Sequence, residues 1–353
     1  MRYALFPFTD QYQLLENRVL KDGLIDYVIP LKSWYDKVSK EINQYKDIKL
    51  LDFSNNVRLY DCLIVLPIDN NFYDEIISDF IYKNLELNIK VYNFYKFKSE
   101  DFNTILHENY INMNNTRINL SFDKYQKPRL NKSIIFNATT VKGYYHFETD
   151  SLLYNYFSSK GVSVCVVSCC PIANLYGFER FPIEELYKCN LIDAGAWILQ
   201  YIAQLENLYN PDIFIISMPE SVNPRFLSKS SECIANFVLS YYVNPDYTIL
   251  NVYGSNLIES ENLIKLAEKF FIRPIDMGIF TDIVFGYNGN QDENGSYFRA
   301  ENGEFASIYK KKIKENNSSQ RKIIKKDDYL LLIKDVLNKL TKNNRGKVYE
   351  EYY

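Results

Sequence analysis

His146 and Glu148 stand two residues apart in a stretch, residues 137–149, that reads NATTVKGYYHFET. Imidazole titrates near neutral pH and a carboxylate can fix its tautomer, so the pair could pass protons to and from a substrate. The same spacing also describes an ordinary polar loop. Cys165, Cys169 and Cys170 form the other reactive group. Zinc needs about four soft or nitrogen ligands, commonly in paired C-x-x-C units. The chain has no C-x-x-C, so no metal is expected. Cys165 reads as a small core residue inside a strand, whereas Cys169 at a strand end could present a thiol. His107, the other histidine, sits in an Asn-rich stretch with no partner in sequence.

Nucleotide chemistry has a stricter signature. A phosphate loop needs G-x-x-x-x-G-K-[ST], so that backbone N–H groups wrap the phosphates while Lys and the hydroxyl meet phosphate and magnesium. Here Lys142 precedes the lone Gly143 and the order is wrong. No G-x-G-x-x-G and no G-x-S-x-G elbow occurs anywhere. No nucleotide or other cofactor is expected.

Two further loops offer surfaces rather than reactions. LYGFERFP (175–182) sets Tyr176, Phe178 and Phe181 around Arg180. Aromatics with an Arg suit a peptide or partner surface, and serve equally to pack the loop onto a sheet. MPESVNPR (218–225) carries Glu220, Ser221, Asn223 and Arg225 on a turn stiffened by Pro219 and Pro224.

The elements that must position these residues alternate between strand and helix. In the first half, 3–8, 27–31, 48–53, 62–67 and 89–94 read as strands, with helices around 11–20 and 71–87. An Asn-rich stretch from 103 to 131 breaks the pattern and reads as a connection. Strands at 133–138, 162–168, 213–217 and 247–252 follow, with a final one at 279–285. Leu191, Ala194, Ile198, Ile202 and Leu205 mark one face of a long helix. Asp150 is placed to cap a helix over 151–159. Asn-Pro-Asp precedes a strand twice, at 210–212 and 244–246, and each Pro ends the helix before it.

The pattern predicts an α/β protein with two Rossmann-like, doubly wound, mostly parallel lobes, the second resembling a P-loop fold without its phosphate loop, and a C-terminal helical tail. The domains are expected at 1–115 and 132–286, joined by a connector at 116–131. A mobile basic linker at 287–327 and an amphipathic helix and tail at 328–353 complete the chain. In such sheets ligands gather at the carboxyl ends of the strands, which here means the loops 137–149, 169–182, 218–225 and 253–259.

Composition narrows the partners. A net charge of -3 over 353 residues argues against nucleic acid. No apolar run approaches the roughly 20 residues of a membrane span, and the opening residues are not a signal peptide. Six scattered cysteines fit reduced thiols in a cytoplasm.

ALFPF (4–8), the block from Ser133 through LYGFERFP, PDIFIISMPESVNPRF (211–226) and PDYTILNVY (245–253) resemble the clostridial peptide maturation system proteins. The resemblance spans residues 1–285. It implies an accessory role, beside radical SAM maturases, in making a ribosomally synthesised, post-translationally modified peptide of bacteriocin-like type. The partners it implies are the precursor peptide and a radical SAM maturase or other pathway enzyme, with a homo-oligomer also compatible. It brings no catalytic residues to carry over. A non-catalytic accessory protein is therefore the first expectation. The alternative is a transferase or nucleotide-dependent ligase using the strand-end cleft expected between the lobes, through His146, Glu148 and Cys169.

Overall fold

A computed structural model describes residues 1–8, 19–20, 23–35, 48–53, 59–68, 73–97, 105, 107–113, 130–140, 147–170, 172–222, 230–252, 257–271, 273–280, 283–286, 296–299, 322–325 and 329–342. The chain divides into two compact units. One is Met1–Asn119 with Cys170–Arg180; the other is Leu120–Cys169 with Phe181–Tyr353.

The first unit is built on β1 (Arg2–Phe6), β2 (Val19–Leu20), β3 (Gly23–Val28), β4 (Lys49–Leu50), β5 (Cys62–Val65), β6 (Lys90–Asn93) and β7 (Tyr110–Asn112). Its six parallel strands run β4-β3-β1-β5-β6-β7. Counted along the chain this is 3-2-1-4-5-6, the dinucleotide-fold order. β2 pairs antiparallel with β3, so residues 19–20 close a strand edge where the sequence pattern expected the end of a helix. β7 likewise forms inside the Asn-rich stretch read as a connection: three residues paired to β6 carry too little apolar signal to stand out. α1 (Asp74–Glu86) buries Ile77, Phe80, Ile81 and Leu85 on one stripe, with Asp74 and Glu75 at its positive end. Asn88, left-handed at φ 63°, ends it.

The strand ends of this sheet are filled by aromatics. Phe6 lies 4.2 Å from Phe80 and 5.6 Å from Phe53, centroid to centroid, and Tyr95 meets Phe97 edge-on at 5.0 Å. The chain thus has the dinucleotide-fold strand order without the glycines that let a pyrophosphate approach.

The second unit holds β8 (Ser133–Thr139), β9 (Val164–Ser168), β11 (Ile213–Ser221), β12 (Tyr247–Val252), β13 (Met277–Phe280) and β16 (Lys322–Lys325). Its sheet runs β9-β11-β8-β12-β13-β16, while β10 (Glu179–Arg180) lies in the segment that belongs to the first unit. Its helices are α2 (Phe147–Ser159), α3 (Ile183–Lys188), α4 (Leu191–Tyr209), α5 (Ser230–Val243), α6 (Leu257–Phe271) and α7 (Tyr329–Lys342). β14 (Ile283–Gly286) and β15 (Ser296–Arg299) form a separate antiparallel hairpin. The single strand expected over 279–285 is therefore two, β13 and β14.

The stretch 287–327, expected to be a linker, contains β15 and β16. β16 reads KIIK and pairs parallel with β13 at the sheet's edge. An edge strand accepts lysines, which is why a basic run could hide it. α7 then docks on the sheet of its own unit. Leu332, Ile333, Val336, Leu337 and Leu340 are buried, the Tyr247 hydroxyl donates to Asp335 at 2.6 Å, and Lys339 pairs with Asp276.

One device recurs at the amino ends of the strands. Asp61, Asp212, Asp246 and Asp276 stand immediately before β5, β11, β12 and β13. Each donates its backbone N–H to a neighbouring carbonyl: Arg2 at 3.0 Å, Ser163 at 2.8 Å, Ile134 at 2.8 Å and Thr248 at 3.0 Å. Each carboxylate accepts the N–H of that same residue, at 2.8, 2.9, 3.0 and 2.9 Å respectively. This explains the repeated Asn-Pro-Asp. Asn210 (φ 42°) and Asn244 (φ 51°) turn left-handed to end a helix, Pro blocks its continuation, and Asp fixes the next strand to its neighbour. Asp246→Ala should therefore lower unfolding free energy by about 1–3 kcal/mol, because the buried Ile134 N–H loses its acceptor. Urea denaturation checks this; an unchanged midpoint would contradict it.

Candidate functional site

Polar residues interrupt the apolar text of the second sheet at the carboxyl ends of its three central strands. They are Asn137 on β8, Ser217 on β11 and Asn251 on β12, all buried. The chain leaves β8 toward β9 on one side and later returns to β12 on the other, and crevices of this kind are where open α/β sheets take ligands. α2 begins directly above them.

The polar groups satisfy one another. Asn137 Nδ2 donates to Asp150 Oδ1 at 2.7 Å, and the Ser217 hydroxyl bonds Asp150 Oδ2. Asn251 Nδ2 donates to Asn137 Oδ1 at 2.6 Å and to the Ala138 carbonyl at 2.9 Å. The Thr149 hydroxyl donates to Asn251 Oδ1 at 2.9 Å. One continuous chain of hydrogen bonds thus ties three strands to the first turn of α2. Asp150 is fully buried, and burial pushes its carboxyl up to about 7 against the pull of the Ser217 and Asn137 donors.

This changes the role expected for Asp150. α2 starts at Phe147, one turn earlier than the expected helix, so Asp150 lies inside the first turn, with its carboxyl on side-chain donors rather than capping backbone N–H groups. Glu148 shares that turn, half-buried. The turn carries two carboxyls where an anion would need bare N–H groups and positive charge.

The other expected site residues fall apart as a group. His146, Lys142 and Gly143 lie outside the described residues, as do Asn223 and Arg225. Cys169 is buried, and its thiol donates to the Ser217 carbonyl at 3.5 Å, so it is not an exposed nucleophile. Phe178 and Phe181 are 3% and 1% exposed. Phe181 sits edge-on against Trp197 at 6.0 Å and Tyr201 at 5.6 Å. Both are therefore corrected from binding surface to core: an aromatic loop gains more by burying its rings than by showing them to water. Tyr176 and Arg180 are half-buried, with Tyr176 stacked on Phe178 at 6.1 Å. Gly177 between them is left-handed at φ 80°, closing a short 3-10 turn at Ala173–Tyr176.

Glu220 and Ser221, expected on a loop, belong to the backbone of β11, while their side chains are outside the description. The strand resumes past Pro219 through a break in register between Ser217 and Ser221, where a proline costs no ladder bond. Asn137, Ser217 and Asn251 were missed as site residues. Their signal was a polar side chain at the carboxyl end of an otherwise apolar strand.

Among the described residues no cluster of His, Cys, Asp or Glu could hold a metal ion, and no helix is long and apolar enough to cross a membrane.

No protein-family model and no curated protein matches the chain. Solved structures do. A DUF1611 family protein from Anabaena variabilis superposes with a TM-score of 0.54 at 13% identity, over 79% of this chain and 87% of that one. The likeness is one of fold. Chloroplast FtsY from Physcomitrella patens (TM-score 0.30, 12% identity, 44% of this chain and 51% of that) and a plasmid partition protein from Borrelia burgdorferi (0.36, 13%, 60% and 99%) resemble it more loosely. The α/β architecture of two largely parallel sheets thus recurs in another protein across most of both chains.

Proposed function

We propose that this chain is a non-catalytic accessory protein in the maturation of a ribosomally synthesised, post-translationally modified peptide, working in a cytoplasm and binding the precursor peptide or its radical SAM maturase. The observation that carries the non-catalytic part is the occupied crevice of the second sheet. Asn137, Asp150, Ser217 and Asn251 use their hydrogen bonds on one another, and the helix turn above them is acidic. Among the described residues, a triphosphate at this turn would meet the partly exposed Glu148 carboxyl, which disfavours an anion. The pathway and the partners rest on the sequence resemblance.

Thermal unfolding with and without millimolar ATP or GTP and magnesium tests the first part. A ligand at 100 times its Kd would add about 2.7 kcal/mol, and no shift is expected. Fluorescence anisotropy with the precursor peptide encoded beside the gene tests the second. Binding is expected, weakened about tenfold or more by Arg180→Ala, which removes a half-buried cationic residue. Stabilisation by nucleotide, or no binding of peptide or maturase, would overturn the proposal.

One observation favours a second reading, an enzyme. A carboxyl poised at about 7 and bonded to a serine hydroxyl at a strand end has the properties of a general acid or base. In that reading Asp150 takes the role that sequence had offered to His146, Glu148 and Cys169.

A further inference from the structure

We propose that the Asn137–Asp150–Ser217 cluster is a proton-operated latch: protonated Asp150 holds the first turn of α2 against the ends of β8 and β11, and loss of that proton releases the turn. The closed arrangement suits a neutral carboxyl. Oδ1 accepts from Asn137 and Oδ2 shares a hydrogen with the Ser217 hydroxyl, and a carboxylic acid completes both bonds without net charge. A carboxylate in the same place is fully buried with two neutral donors, and an isolated buried charge of that kind is costly unless water reaches it.

Among the described residues the elements packed here offer no counter-charge. The titratable side chains on the elements packed here are Glu148, Tyr154 and Tyr156 on α2 itself, Cys165 on β9, Cys169 just beyond it, Glu220 on β11 and Tyr247 on β12. None is basic, and β8 carries none. Ser151, the next residue of the turn, adds an independent observation: it is 2% exposed and its hydroxyl has no hydrogen-bond partner. Opening the turn to water therefore relieves two groups, the carboxylate and this hydroxyl, whereas the protonated state relieves only one. The burial that raises the affinity of Asp150 for a proton places the switch near neutral pH. Release would uncover the polar ends of β8, β11 and β12, which makes access to this crevice proton-dependent whichever ligand it serves.

Amide hydrogen exchange over residues 147–151, corrected for intrinsic rates, tests the latch in the full chain between pH 5 and 8.5. Protection is expected to fall about tenfold per pH unit from pH 5 toward 7, where the open turn has released the proton that the closed turn holds, and to level off above that, once both states have lost it. Asp150→Asn, which stays neutral, should keep protection independent of pH. Flat protection in the wild type, or an unchanged pH profile in the variant, overturns the proposal. If the variant does not fold, the wild-type Asp150 carboxyl carbon is followed by NMR: a midpoint above about 6 supports the latch, and one near the ordinary aspartate value of about 4 refutes it.

Discussion

Replacing Phe181 by alanine should cost about 3–5 kcal/mol of unfolding free energy, the usual loss for emptying a buried aromatic site. Its ring is 1% exposed and meets two others edge-on, Trp197 and Tyr201, which stack on each other at 5.5 Å. Its backbone N–H also donates to the Ser168 carbonyl at 2.8 Å, fixing the ring's entry point on the sheet. The substitution removes the ring that packs against Trp197 and Tyr201 on α4 and leaves a cavity there. Chemical denaturation gives the number directly. A loss below about 1 kcal/mol would mean that the ring is not a core residue and would return it to the set of surface contacts.

The second large effect concerns pH. Burial pushes the Asp150 carboxyl up to about 7 in the folded chain, against an ordinary value near 3.9 when unfolded. Between those values the folded state holds a proton that the unfolded state has released. This group's contribution is therefore fully present below about pH 4 and is lost as pH rises toward 7, to a limit of about 4 kcal/mol. Because other carboxyls titrate at the acid end, the informative quantity is the difference between wild type and Asp150→Asn. From pH 5 to pH 7 that difference should move against the wild type by about 1.4 kcal/mol per unit. Urea titrations at half-unit steps measure it. A constant difference would show that Asp150 carries no extra proton.

The fold was more legible than the site, and for a physical reason. Strands buried on both faces write themselves as apolar runs: CLIV at 62–65, VCVVS at 164–168 and YTILNV at 247–252 needed only that signal. β7 and β16 escaped because an edge strand is short and tolerates Asn and Lys. The Asn-Pro-Asp pairs were visible as helix stops, but the second half of their work, the carboxylate on a neighbouring strand, depends on a pairing that no local window contains. The site failed for the same reason. Asp150 looked like a helix cap, since a carboxylate before an apolar stretch usually is one. Its true partners, 13 and 67 residues away, are set by strand order. Phe178 and Phe181 were open to either reading in the sequence, and burial decides between them.

The four aspartates at the amino ends of β5, β11, β12 and β13 have a consequence for how this scaffold tolerates change. They stitch each strand to its neighbour along the amino-end hem, one in the first sheet and three in the second, independently of anything at the far rim. Loops at that far rim can lengthen, shorten or be exchanged while the strands stay aligned. A lineage carrying such a hem can lose an ancestral pocket and acquire another without passing through an unfolded intermediate sequence, and a protein engineer could transplant recognition loops there on the same terms.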